Sequence, residues 1–136
     1  MAAIGPFGGG GGSAFEDGPA SQVRSVIVRS GAYVDSITFL YADGSTKVHG
    51  GQGGGPPQRL DLNAGEFLAG VEGAYEPYLM YLFFTTSQGR SFGPFGGGGG
   101  NGFMLTPIPG YAITSFFGRS GSYVDALGFY IQQVGH

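Results

Sequence analysis

The chain is expected to be all-β, and three features of its sequence predict this. It holds 30 Gly and 8 Pro in 136 residues, a density that interrupts helices. Aromatic residues make up 15% and charged residues only 11%, the reverse of the balance in a disordered chain. The glycines therefore read as tight turns in a folded protein. Finally, no stretch of useful length has helical periodicity, whereas several short stretches alternate as half-buried strands do.

The strands come in repeated units. The octapeptide GPFGGGGG at 5–12 recurs letter for letter at 93–100, 88 residues later. RSGAYVDSI at 29–37 matches RSGSYVDAL at 119–127, 90 residues later. Half of 88 places a third unit near residue 49, where HGGQGGG begins. Downstream, Gly73-Ala74-Tyr75-Glu76-Pro77 echoes Gly31-Ala32-Tyr33-Val34-Asp35, with Pro in place of Asp. The expected units are about 5–48, 49–92 and 93–136 within one domain, and such a period means stacked or radially arranged units, none stable alone.

Each unit reads as a glycine loop, a strand, a tight turn and a second strand. In the first, Val23–Val28 precedes the turn and Ile37, Phe39 and Tyr41 alternate after it; Asp43-Gly44 then forms a hairpin turn. The equivalents are Glu66–Val71 with Leu79–Thr85, and Ala112–Phe117 with Leu127–Ile131. Three such units imply three sheets around one axis, or a three-bladed arrangement, burying the Phe-rich faces.

Charge and composition exclude several functions. The net charge is −3 and the pI about 5.1, with no basic cluster to attract nucleic acid. No apolar run approaches the roughly 18 residues of a membrane span. The start, Met1-Ala2-Ala3-Ile4-Gly5, shows no signal-peptide pattern, so synthesis in the cytoplasm is expected; the final compartment stays open. There is no Cys. The only histidines, His49 and His136, are not paired at ligand spacing, so no metal and no cofactor are expected. The glycine runs lack a following helix and a Gly-Lys-Ser/Thr signature, which argues against phosphate binding.

The two Gly-x-Tyr-Val-Asp turns, Gly31–Asp35 and Gly121–Asp125, are the candidate chemistry. A starting Gly allows positive φ and lets the following N–H groups point outward together. The Asp can fold its carboxylate over the same concavity. A pair of adjacent sugar hydroxyls needs this combination of donors and a two-oxygen acceptor. The alternative is that these are ordinary hairpin turns, in which Gly and Asp are common for backbone reasons.

An enzyme is not expected. Glu16-Asp17 and Glu66 could be imagined as a hydrolytic carboxylate pair, but Glu16-Asp17 is expected to face solvent. Ser13, Ser30 and Ser120 have no visible base partner. Arg29 and Arg119, which precede the two turns, are expected to serve a structural salt bridge or to stack.

Several segments together resemble the jacalin-related lectins: GGGGSAF at 9–15, VRSGAYVD at 28–35, HGGQGG at 49–54, GEF at 65–67, FGPFG at 92–96 and FFGRSGSYVDA at 116–126. The resemblance covers nearly the whole chain and favours the family's mannose-specific branch, because the chain runs uncut where galactose-specific members are cleaved. It implies a β-prism I fold, three four-stranded antiparallel sheets with pseudo-threefold symmetry. It also implies mannose- or glucose-containing glycans as partners, and a homodimer or higher homo-oligomer. Carried over by position, one site comprises Gly121, Ser122, Tyr123 and Asp125 with Gly12. The other comprises Gly31, Ala32, Tyr33 and Asp35 with Gly54. With Pro77 at the Asp position and Glu76 one residue early, the middle unit is expected to leave a third site, near Gly73 and Gly100, empty or very weak. A protein-interaction module on the same fold is the competing reading.

Overall fold

A computed structural model describes residues 1–20 and 22–134; His136 lies outside them. Among the described residues there are twelve strands and no helix. The strands are β1 (Ala2–Gly8), β2 (Ser13–Glu16), β3 (Val23–Ser30), β4 (Val34–Tyr41), β5 (Thr46–Gly50) and β6 (Gln58–Asp61). They continue with β7 (Leu68–Tyr75), β8 (Leu79–Thr86), β9 (Ser91–Phe95), β10 (Asn101–Leu105), β11 (Tyr111–Ser120) and β12 (Val124–Gln133).

Hydrogen bonding joins them into two sheets, where three of four strands were expected. One has four strands in the order β5-β4-β3-β6; the other has eight, along β1-β12-β11-β7-β8-β9, with β10 on β7 and β2 on β11. The difference has a local cause. Strands β11 and β7 meet at one residue pair, Ile113 with Leu68. On either side of that pair the order repeats, as β1-β12-β11-β2 and β9-β8-β7-β10.

The central hairpins β3–β4, β7–β8 and β11–β12 contain the segments with apolar alternation, extended to their tips. The outer strands are staggered relative to the sequence repeats. Strand β1, carrying the first GPF, completes the group of β11 and β12 from the far end of the chain.

The topology fixes where the glycine runs lie. In each group, one outer strand leads to the other through a glycine segment: β1 to β2, β5 to β6, β9 to β10. That segment must cross from one edge of the group to the other. It does so at the tip of the central hairpin, and so the glycines meet the Gly-x-Tyr-Val-Asp turns.

All three groups contribute to the core. Phe39 of β4 stacks on Phe116 of β11, with centroids 3.8 Å apart and planes 4° from parallel. Phe84 of β8 and Phe129 of β12 meet Phe116 edge-on. All four rings are fully buried, each worth roughly 1.5–3 kcal/mol.

Asp17 does not face solvent as expected. The Asp17 amide donates to the Phe116 carbonyl at 3.1 Å, continuing the β2–β11 ladder and turning the side chain inward. The carboxylate is 1% exposed, meets His49 Nε2 at 2.8 Å, and accepts from the Tyr41 hydroxyl. Phe15 stacks on His49 at 3.6 Å. Glu16 is exposed and accepts from the Gly18 amide at 2.8 Å. Glu66, also buried, lies at the end of its group away from the hairpin tip and is held by Arg90, so no carboxylate pair forms.

Candidate carbohydrate site

Each hairpin tip is a three-residue reversal closed by one backbone bond: Gly31 N donates to Tyr33 O, and Gly121 N to Tyr123 O, both at 2.9 Å. The expected reason for the leading Gly is not the observed one. Neither Gly31 nor Gly121 has positive φ. A Cβ on Gly31 would meet open space, and one on Gly121 would lie 3.5 Å from the Gly12 Cα and 4.0 Å from Asp125 Oδ1. These glycines keep the mouth of the tip open. The left-handed residues are in the loops, Gly12 at φ +67° and Gly54 at φ +85°.

The loops close over the Asp carboxylates. Gly9 N donates to Asp125 O at 3.0 Å, and Gly51 N to Asp35 O at 2.9 Å. A Cβ on Gly11 would lie 2.6 Å from Asp125 Oδ2, and one on Gly12 2.7 Å from Oδ1. The second loop repeats this, with Gly53 and Gly54 at 2.9 Å from Asp35 Oδ2 and Oδ1. Only residues without side chains let the backbone pass so near a carboxylate.

Both Asp residues are buried, Asp125 at 4% and Asp35 at 7% exposure. Burial pushes the Asp125 carboxyl above the usual carboxylate value, while the charge of Arg119 opposes the shift. Around Asp125 there is a cleft of about 310 Å³, floored by Gly11, Gly12, Gly121, Ser122 and Tyr123 and walled by Pro77 and Tyr78 of the neighbouring tip. Thus Gly12, Gly121, Ser122, Tyr123 and Asp125 are brought together, as are Gly54, Gly31 and Asp35 with Ala32 and Tyr33 on the same tip. Pro77, Tyr78 and Gly11 were missed by sequence reasoning.

Arg119 forms no salt bridge among the described residues. Its Nε donates to Gly11 O and its Nη2 to Gly12 O, both at 2.9 Å. Arg29 Nε is buried and has no hydrogen-bond partner among the described residues.

The middle tip corrects an expectation. Strand register pairs Tyr75 with Leu79, as it pairs Ser30 with Val34 and Ser120 with Val124. Glu76-Pro77-Tyr78-Leu79-Met80 therefore corresponds to Gly31–Asp35, and the residue at the Asp position is Met80, not Pro77. Glu76 N donates to Tyr78 O at 2.9 Å, the same closing bond. Gly73 lies within β7, covered by the Phe103 ring. Tyr33, Tyr78 and Tyr123, spaced 45 residues apart, form one cluster with centroids 4.7–5.1 Å apart. The three tips thus converge at one end of the molecule.

The model of the jacalin-like lectin domain matches residues 4–130. The chain belongs to the jacalin-like lectin family. This jacalin-like domain is 39% identical to myrosinase-binding protein 2 of Arabidopsis thaliana over 90% of its length, and spans about a fifth of that longer protein. Among solved structures it resembles Malaysian banana lectin, with a TM-score of 0.91, 34% identity and coverage of 98% of this chain and 99% of the other. It also resembles a mannose-binding jacalin-related lectin from Ananas comosus, with a TM-score of 0.87, 30% identity and 98% coverage of both chains.

Proposed function

We propose that this chain is a single lectin domain that binds mannose- or glucose-type sugars at two sites, Asp125 with Gly12 and Asp35 with Gly54. One observation carries the reading. In both places an Asp carboxylate lies against two loop glycines more closely than any side chain would permit, at the mouth of an open hairpin tip. Adjacent sugar hydroxyls would donate to the two carboxylate oxygens, each bond worth about 1.5–3 kcal/mol. Backbone N–H groups of the tip, at Ser122 and Tyr123 or Ala32 and Tyr33, would donate to sugar oxygens. The mannose-binding relative from Ananas comosus supports the choice of sugar.

The four-strand groups, taken as three faces, fit the β-prism. Each exposed monosaccharide site is weak, with Kd on the order of mM. Avidity then comes from two sites per chain and from a homodimer or higher oligomer. The test is the double variant Asp35→Asn, Asp125→Asn. Loss of binding to immobilised mannan with a thermal unfolding midpoint that is not lowered is expected; retained binding would sink the site assignment. A protein-binding role has one observation in its favour, the name of the myrosinase-binding relative, and a protein partner bound without any glycan would support it.

A further inference from the structure

The two sites share residue types but differ in what holds the glycine loop. At the first, the guanidinium fork of Arg119 bonds two successive carbonyls, Gly11 O and Gly12 O. These belong to the glycines that face the two oxygens of Asp125. Two bonds from one rigid planar group fix both peptide planes at once. The loop is also short. It runs straight from Gly12 into β2, where Ser13 pairs with Ser120, so the ladder resumes at the next residue.

The second site lacks the guanidinium clamp, and its loop returns to the sheet ladder later. Arg29 occupies the place of Arg119, yet among the described residues its buried Nε has no hydrogen-bond partner, and no hydrogen bond joins Arg29 to Gly53 or Gly54. After Gly54 the chain continues through Gly55, Pro56 and Pro57 before β6 pairs with β3, beginning at Gln58 with Val28. One backbone bond, from Gly55 N to Ser30 O at 2.9 Å, ties this stretch to the tip.

Ordering a loop on binding costs affinity, and a loop already held in its bound shape avoids that cost. Resting on the sugar-binding reading above, we propose that the two sites are unequal. The Gly12–Asp125 site is the tighter, and Arg119 is the positioning residue that makes it so by clamping the loop. Arg119 acts through Gly11 and Gly12 rather than by touching the ligand.

The experiment uses the full chain and methyl α-mannoside, with each site isolated in turn. Asp35→Asn leaves the first site and Asp125→Asn leaves the second; amide chemical-shift titration gives each Kd. The first site is expected to bind on the order of tenfold more tightly, about 1.4 kcal/mol. Arg119→Lys keeps the charge and loses the fork. In the otherwise unaltered chain it should weaken the first site toward the affinity of the second while the second keeps its own Kd. That unchanged second Kd also shows that the fold is intact. Arg29→Lys in the Asp125→Asn background should shift the second site by less than twofold. Equal affinities at the two isolated sites, or an unaffected first site in Arg119→Lys, would overturn the inequality while leaving the lectin reading intact. Absence of binding at either site of the unaltered chain would overturn both.

Discussion

Met80 occupies in the middle hairpin the place that Asp125 occupies in the last. Gly98 N donates to Met80 O at 3.0 Å, one residue later in its loop than the Gly9 N that donates to Asp125 O at 3.0 Å; Gly97, the counterpart of Gly9, donates instead to Ala32 O at 2.9 Å. Gly98, Gly99 and Gly100 all have positive φ, which Gly10 and Gly11 do not. The middle tip therefore has a glycine loop against it but no carboxylate, and Glu76 where the other tips have Gly. Restoring both features should restore the site. The double variant Glu76→Gly, Met80→Asp is expected to raise the calorimetric stoichiometry for methyl α-mannoside from two to three per chain. Stoichiometry that stays at two would mean that the different backbone of the loop at Gly96–Gly100 cannot complete a site.

Gly12 and Gly121 face each other across the first site but are glycine for different reasons. At Gly12 the backbone is left-handed, and a Cβ would lie 2.6 Å from the Ser120 carbonyl. Gly12→Ala should cost about 1–2 kcal/mol from the backbone alone, more from the clash, and abolish first-site binding. Gly121 needs no positive φ, so Gly121→Ala should leave the unfolding midpoint within a degree or two and still reduce binding. Chemical denaturation and a mannoside titration on both variants separate the two effects. Equal stability losses would contradict this division.

The central hairpins were legible because their apolar residues alternate: Phe39, Phe84 and Phe116 all fall on strands read from pattern. The outer strands were not, because their composition argues against strands. Pro6 and Pro94 sit where the register of edge strands β1 and β9 shifts, one of the few places where a strand tolerates Pro. The two Asp-bearing tips were legible as repeats, and the glycine loops as their partners. The middle tip was misplaced by three residues because Gly73-Ala74-Tyr75 copies the lettering of Gly31-Ala32-Tyr33. Half of the 90-residue spacing between the Asp-bearing turns is 45, which leads from Tyr33 to Tyr78. Asp17 carried no local signal, since its partners His49 and Tyr41 are brought by another group.

Titration should report on Asp125. In the proposed binding mode Asp125 accepts hydroxyl donors as the carboxylate, and burial holds its pKa above the ordinary value. As pH falls through that raised value, the carboxyl protonates and first-site affinity should drop, at a higher pH than for an ordinary Asp. The chain carrying Asp35→Asn isolates this profile. Stability runs in the opposite direction. A carboxyl with a raised folded-state pKa costs stability above that pKa, and the cost disappears below the unfolded value near about 3.9. Asp125→Asn should therefore unfold at a slightly higher temperature at pH 7, with the gain vanishing near pH 3. A midpoint lowered at pH 7 would show that the carboxylate contributes to the fold instead.

Glu66 gives the contrasting case at the end of its group away from the tips. Its carboxylate accepts Arg90 Nε at 2.9 Å, Arg90 Nη2 at 2.6 Å, Thr86 Oγ1 at 2.6 Å and Asn63 N at 2.8 Å. The bonds from Arg90 lead in holding its pKa down at about 2, against the penalty of burial. A carboxyl with a depressed folded-state pKa contributes stability that is complete above the unfolded value, about 4.3. That contribution is lost as pH falls toward about 2. The unaltered chain should show its unfolding midpoint falling across this window. Glu66→Gln cannot bond Arg90 as an ion and leaves a charged guanidinium facing a neutral amide. It should unfold several degrees lower at pH 7, with a shallower decline below pH 5, while binding methyl α-mannoside with unchanged affinity at pH 7. An unchanged acid slope in Glu66→Gln would assign the acid sensitivity to another carboxylate.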